Sequence, residues 1–154
     1  MISERPDISA LHGCACYQVR RLSRQITQAY DRHLSACGLT TTQFALLTAV
    51  NTNGPVAVTG LAEALGMDRT TLTRLIKPLE REGLVTIAPS TDRRIRVVAL
   101  TAGGQERFER GIPHWKNAYR ELRDRIGRER LEALRATLGE ASALLSASPP
   151  QAVP

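Results

Sequence analysis

The densest chemistry in the sequence lies between positions 69 and 96. Arg69, Thr70, Thr71, Thr73, Arg74 and Lys77 come first, and Asp92, Arg93 and Arg94 follow. Guanidinium forks match phosphate oxygens and base edges, an ammonium adds a point charge, and hydroxyls both donate and accept. Asp92 stands two residues before Arg94, close enough to hold the loop or that guanidinium in a fixed orientation. This is the chemistry of binding a patterned polyanion, not of breaking bonds. The charge balance points the same way. The chain has 154 residues and a net charge of +6. Residues 1–68 carry five basic and five acidic side chains, residues 97–154 nine and seven, and residues 69–96 seven and three. Most of the surplus therefore sits on one short segment, which favours nucleic acid over a membrane surface as the partner.

Other reactive residues are sparse. Cys14, Cys16 and Cys37 are too few for a disulfide scaffold and lack the repeated spacing of a zinc site, so a reducing cytoplasm, at the nucleoid, is the expected location. Cys14 and Cys16 are two apart and point to different sides of a helix, which prevents them from chelating one metal or pairing with each other. His12 and Cys16 share a face, but no second pair accompanies them, and no metal site is expected. The sequence has no GxGxxG, no CxxC and no evident acid/base pair, so it offers no catalytic residues and no cofactor site, and an enzyme is not expected. Glu4 and Asp7 stand where a secretory leader needs basic residues, and the apolar run FALLTAV is about a third of the roughly 20 residues of a membrane span. No membrane partner follows.

The elements that must position the basic segment are legible from periodicity. Apolar residues at Ile8, Leu11, Ala15, Val19, Leu22, Ile26 and Ala29 predict a long helix, placed at 8–36. Gly38 ends it, and LTTTQ supplies a capping threonine for a second helix that NTNGP stops. Thr59 is expected to cap a short third helix, Gly66 to turn the chain, and Asp68 to cap a fourth helix beginning at Arg69. Pro78 should bend this helix and Gly83 stop it. A short helix, a glycine turn and a second helix with basic residues in its first turns have the proportions of a helix-turn-helix. Leu84, Val85 and Ile87, the turn PSTDRR and the β-branched IRVVAL then predict a hairpin with a basic tip, a wing. Helical spacing returns at 102–146, with Pro113 as a kink and Gly127 as a break. Residues 147–154 are expected to form a loose tail. The predicted fold is mainly α with a small β-hairpin wing: a winged helix-turn-helix lobe at 40–100, flanked by N- and C-terminal dimerisation helices, in a single domain over 1–154.

LTTTQFALL, LAEALGMDRTTLTRLIKPLEREGLV and DRRIRVVALTAGG resemble the MarR (multiple antibiotic resistance regulator) family of bacterial winged-helix transcription factors over about residues 10–145. The resemblance implies a homodimer with interlocked terminal helices, a pseudo-palindromic double-stranded DNA operator, and repression of nearby genes. It makes 69–82 the recognition helix and Arg94 the minor-groove residue. The loop IAPST lacks arginines that many members carry, which implies a smaller wing contact centred on Arg93 and Arg94. Dimerisation has its own argument, because the apolar faces at 8–34 and 104–145 exceed what a small lobe can cover.

The resemblance also suggests two signals. Family members often bind small aromatic or phenolic effectors between the dimer helices and the DNA-binding lobe, and Tyr17, Tyr30, Phe44, Trp115 and Tyr119 are the candidate wall. The plainer reading is that these residues fill the core. In the alternative, Cys16 falls where the organic-hydroperoxide sensors of the family carry their reactive cysteine, and Tyr30 falls on one of the tyrosines that bond it. Two other sensor tyrosines fall on Arg20 and Thr41. Oxidation of Cys16 would then release DNA, with Cys14 or Cys37 as resolving thiols.

Overall fold

The computed structural model describes residues 13–92 and 94–146. The start of the expected first helix at 8–12, His12, Arg93 and the expected tail at 147–154 lie outside the described residues. A boundary between Ala118 and Tyr119 divides the chain into two compact units.

Helix α1 spans Ala15–Leu34. Gly13 and Cys14 precede it, with Cys14 extended at φ −65°, ψ 125°, so the helix starts later than the periodicity from Ile8 suggested. A glycine at that point weakens helix propagation, and no side chain caps the first turn. The second half of α1 buries Ala29, Tyr30 and Leu34. A single 3₁₀ turn, Ser35–Cys37, ends at Gly38 with φ 72°. There Gly38 N–H donates to Ser35 and Leu39 N–H to Leu34, closing the helix end with two backbone bonds.

Helix α2 (Thr41–Asn53) starts in a capping box: Gln43 N–H donates to the Thr40 hydroxyl and Thr40 N–H to the Gln43 side chain. Asp31 of α1 reinforces this start, accepting from both the amide and the hydroxyl of Thr41 at 2.6 Å. Strand β1 (Val56–Ala57) follows; two residues are too short for an alternating pattern to reveal. Helix α3 spans Val58–Ala64 with Ala57 as its N-cap and no side-chain cap bond. The expectation that Thr59 caps α3 is therefore corrected. Pairing of Ala57 with Val97 holds the chain extended up to the helix, and Thr59 falls inside it. Gly66 (φ 62°) then closes α3 as Gly38 closes the first helix, with bonds from Gly66 to Glu63 and from Met67 to Ala62.

Helix α4 spans Arg69–Arg81, running through Pro78, and buries Leu72, Ile76 and Leu79. Gly83 (φ 71°) ends it by the same two-bond motif. Strands β2 (Val85–Pro89) and β3 (Arg96–Leu100) form the expected hairpin in register Val85↔Leu100 to Pro89↔Arg96. With β1 they make a three-stranded antiparallel sheet in the order β1-β3-β2, one strand more than the sequence suggested. Val85 and Val98 on the sheet and Leu46, Leu47 and Leu61 on α2 and α3 are all essentially inaccessible.

Helix α5 spans Ala102–Ile126, with Pro113 inside it, and Gly127 (φ 90°) separates it from α6, Arg128–Ser146. In the second unit Leu131 is buried, whereas Leu138, Leu144 and Leu145 are exposed. The architecture is mainly α with a winged helix-turn-helix, as expected.

Candidate functional site

The basic surface is built on α4. Asp68 caps this helix: one carboxylate oxygen accepts from Thr71 N–H at 2.8 Å and the other from the Thr71 hydroxyl at 2.6 Å. These bonds, the hydroxyl contact first, hold the Asp68 carboxyl below its ordinary value. The folded state thus binds this proton less readily than the unfolded chain. The stability it confers is complete above the ordinary aspartate range and fades as the pH falls through the lower native value. Asp68→Ala should accordingly lower the melting temperature at neutral pH. The gap to the parent protein should narrow on acidification toward the carboxylate range, and a gap independent of pH would show that the charge is not what caps α4.

Leu72, Ile76 and Leu79 turn inward, so the opposite side of α4 presents Arg69, Thr70, Thr73, Arg74 and Lys77 to solvent. These five residues line one shallow polar hollow. Thr71 is exposed but commits its hydroxyl hydrogen to Asp68, and Thr73 donates to the Arg69 carbonyl at 2.7 Å. Both keep lone pairs, so in the unbound protein they can accept from a ligand.

The wing tip owes its shape to Asp92. Its side chain accepts from the backbone N–H of Arg94 at 3.0 Å, and its carbonyl accepts from Ile95. Of the two roles anticipated for Asp92, the geometry shows the one that shapes the loop. Ser90 N–H donates to the Ile95 carbonyl across the turn. Asp92 and Arg94 are exposed.

Sequence reasoning missed the joint that fixes α4 and the wing to α5. The Thr101 hydroxyl donates to the Gly83 carbonyl at 2.6 Å and accepts from Gly104 N–H at 2.9 Å, while Thr101 N–H donates to Leu84. One residue thereby ties the end of α4, the base of the wing and the start of α5. Arg107 adds a long ion pair of 3.9 Å to Glu82. The signal was only Leu100-Thr101-Ala102 followed by two glycines, which reads as an ordinary strand end.

An apolar cavity of about 590 Å³ opens between α1, α2 and α5. Tyr30, Phe44 and Trp115 line it as anticipated, with Ile26, Thr41, Ala45, Thr48, Ala49, Phe108 and Ile112. Phe44 and Phe108 stack with centroids 5.4 Å apart. The lining does not reach Tyr17, which is exposed nine residues before Ile26, and Tyr119 belongs to the second unit. Cys14 and Cys16 are exposed at the start of α1, and Cys37 is buried with its thiol donating to the Leu34 carbonyl at 3.0 Å. Among the described residues, no group of three or more His, Cys, Asp or Glu could hold a metal ion, and no helix is long and apolar enough to cross a membrane.

Comparison with known proteins accounts for this arrangement. A sequence model of the MarR family matches residues 38–95. The transcriptional regulator HosA of Escherichia coli O127:H6 is 30% identical over 124 residues, covering 80% of this chain and 90% of HosA. The transcriptional activatory protein BadR of Rhodopseudomonas palustris is 35% identical over 98 residues, 60% of this chain and 55% of BadR. Among solved structures, the M. tuberculosis regulator MosR in complex with DNA is 36% identical, with a TM-score of 0.75, covering 86% of this chain and 98% of MosR. The repressor CouR bound to a 23-mer DNA duplex shares the fold at a TM-score of 0.79 and 23% identity, over 90% of this chain and 99% of CouR. The chain belongs to the MarR family and is a DNA-binding transcriptional regulator, not an enzyme.

Proposed function

We propose that the protein is a homodimeric repressor that leaves a pseudo-palindromic operator when a small aromatic or phenolic ligand enters the cavity beside Phe44 and Phe108. In this reading Arg69, Thr70, Thr71, Thr73, Arg74 and Lys77 enter the major groove, and Asp92, Arg93 and Arg94 form the wing contact. A two-fold dimer sets two such helices about one turn of DNA, roughly 34 Å, apart. The apolar residues left open at Val19, Leu138, Leu144 and Leu145 support a second copy as the cover for 15–34 and 102–146. MosR and CouR were solved with DNA, and CouR also with p-coumaroyl-CoA.

The observation that carries the proposal is the double use of α5. Residues Phe108, Ile112 and Trp115 wall the cavity, while Gly104 in the first turn of the same helix donates to Thr101, the residue just before it, which holds the end of α4 and the base of the wing. An occupant that shifts this wall shifts the element that positions both DNA-contacting parts. Ligand affinity must then differ between the two arrangements, and the DNA complex must weaken by the same coupling.

The exposure of Cys16 on the first turn of α1 favours a second reading, in which its thiolate is oxidised by a hydroperoxide to sulfenic acid and water or an alcohol leaves. One experiment separates the two. Binding to the DNA upstream of the protein's own gene is measured by fluorescence anisotropy with phenolic ligands or with cumene hydroperoxide, using the parent protein and Cys16→Ser. Release by phenols in both proteins supports the ligand reading. Release by hydroperoxide that is lost in Cys16→Ser supports the thiol reading, and absence of any release sinks both.

A further inference from the structure

One bulky apolar side chain stands where neither the core nor a second copy has a use for it. Among the described residues, the other exposed large apolar side chains lie on α1, α5 and α6, beside the cavity or on the faces that the proposed second copy covers. Ile95 is 44% exposed and belongs to the wing, between the exposed Arg94 and Arg96. Its backbone is fixed on both sides: the N–H donates to the Asp92 carbonyl at 2.9 Å, and the carbonyl accepts from Ser90 N–H at 2.8 Å. The turn therefore holds Ile95 at the tip, and the side chain cannot fold inward unless these bonds open.

Strand pairing settles which face of the sheet each wing residue occupies. Directly opposed residues of an antiparallel pair share a face, and Val85↔Leu100 and Ile87↔Val98 form the one turned to the core, where Val85 and Val98 are buried. The alternate pairs, Thr86↔Ala99 and Ala88↔Val97, form the other face, and Ile95 continues it opposite Ser90. A solvated face of an antiparallel sheet is normally polar. These six residues carry no charge, and alanine, serine and threonine keep the strip low until it reaches Ile95. An uncharged strip that ends in an isoleucine and is bordered by arginines matches the minor groove of DNA. Sugar C–H groups wall that groove, phosphates line its rims, and apolar side chains are a recurrent means of entering it. Continuity with the basic surface of α4 and the wing favours DNA over a protein as the occupant of this tip.

We infer that Ile95 enters the minor groove beside Arg94 and makes the wing select against G·C pairs there, an inference that rests on reading the wing as part of the DNA interface. An A·T pair shows only acceptors flush with the groove floor, whereas G·C adds the guanine 2-amino group, which stands out into the groove. Isoleucine has no acceptor for that group, so contact would strip its water without replacing the bond and would crowd the methyl groups. Inosine lacks the 2-amino group, so I·C pairs isolate this effect from the major-groove pattern. Duplexes selected by the parent protein from a random pool are rebuilt with A·T, I·C or G·C pairs flanking the half-sites, and binding is followed by fluorescence anisotropy over a range of salt. The parent should bind the A·T and I·C duplexes alike and the G·C duplex at least about fivefold more weakly, the cost of one mismatched contact. Ile95→Ala should bring the I·C to G·C ratio toward unity without changing the salt dependence, because no cation is lost. Ile95→Val, which keeps the branched shape, should retain most of the preference. Arg94→Ala should lower the salt dependence by about one counterion. Equal binding of I·C and G·C duplexes by the parent overturns the inference, as does an undiminished preference in Ile95→Ala, and either result leaves the wing reading in place if Arg94→Ala still weakens binding. Unchanged affinity in Arg94→Ala overturns the wing reading, and the role of Ile95 with it.

Discussion

Arg94→Ala should weaken binding to an operator duplex by about 1–3 kcal/mol per half-site, the range for losing one arginine contact to DNA. The side chain is exposed at the tip of the hairpin, and the Asp92 bond to its backbone N–H fixes where the stem of the arginine leaves the loop. A guanidinium held this way would reach a narrow groove without first having to order its loop, which would remove part of the entropic cost of binding. Arg94→Lys should recover part of the loss, since it keeps the charge but not the planar fork. A contact to phosphate alone would lower the salt dependence of binding by about one released counterion and affect all sequences alike. A minor-groove contact would instead cost most at A·T-rich flanks, where the groove is narrow and its potential most negative. Unchanged affinity of Arg94→Ala at physiological salt, measured by anisotropy, would remove the wing from the interface. Asp92→Ala should give a smaller loss of the same kind, because it frees the loop while leaving the guanidinium in place.

How much of this could be read before the fold was known differs from part to part. The helix-turn-helix was legible because its punctuation is local. Asp68 caps α4 through its own neighbour Thr71, and Gly38, Gly66 and Gly83 each adopt the left-handed backbone that a helix end needs. The hairpin was legible for the same reason, since β-branched runs flank a polar turn. What escaped is tertiary. Strand β1 is two residues long and exists because β3 offers it a partner, and that pairing moves the N-cap of α3 from Thr59 to Ala57. The cavity wall was sought among aromatics, yet Ala45, Thr48 and Ala49 also line it: small side chains on α2 leave the space that Phe108 and Trp115 border. Tyr17 was grouped with them by residue type, but nine residues before Ile26 on a helix is about 13 Å along the axis. Residue type put Tyr30, Phe44 and Trp115 among the candidates, and only the packing of α5 on α1 and α2 could show which positions share a wall.

Gly104→Ala should be the most damaging single methyl in the protein. A Cβ on Gly104 would lie inside the van der Waals envelope of the Leu84 carbonyl, and its nearest atoms all belong to the Leu84 backbone. No flexible side chain can yield, so relief must come from moving α5 away from the start of β2. That motion breaks a set of bonds made within the same turn: Thr101 to the Gly83 carbonyl, Gly104 N–H to Thr101, and Thr101 N–H to Leu84. Leu84 and Val85 are buried at this point, so separation also opens the core. Overpacking in a well-packed interior costs about 1–3 kcal/mol and occasionally more, and a clash against backbone belongs at or above the top of that range. Gly103→Ala provides the matched control. There the added Cβ meets nothing closer than 3.7 Å and the backbone is not left-handed, so alanine should be neutral or stabilising by up to about 1 kcal/mol through its higher helix propensity. Urea unfolding of the two variants checks the contrast, and equal stability of both would show that α5 does not sit against the wing base as described. The same pair probes function. In whatever Gly104→Ala protein remains folded, the joint between α5, α4 and the wing has been forced open. Operator affinity should therefore fall in that variant although no DNA-facing residue has changed, and it should stay at the parent level in Gly103→Ala. A variant that binds DNA normally with its joint displaced would mean that α4 and the wing hold their relative positions without α5, and that an occupant of the cavity has no lever on them.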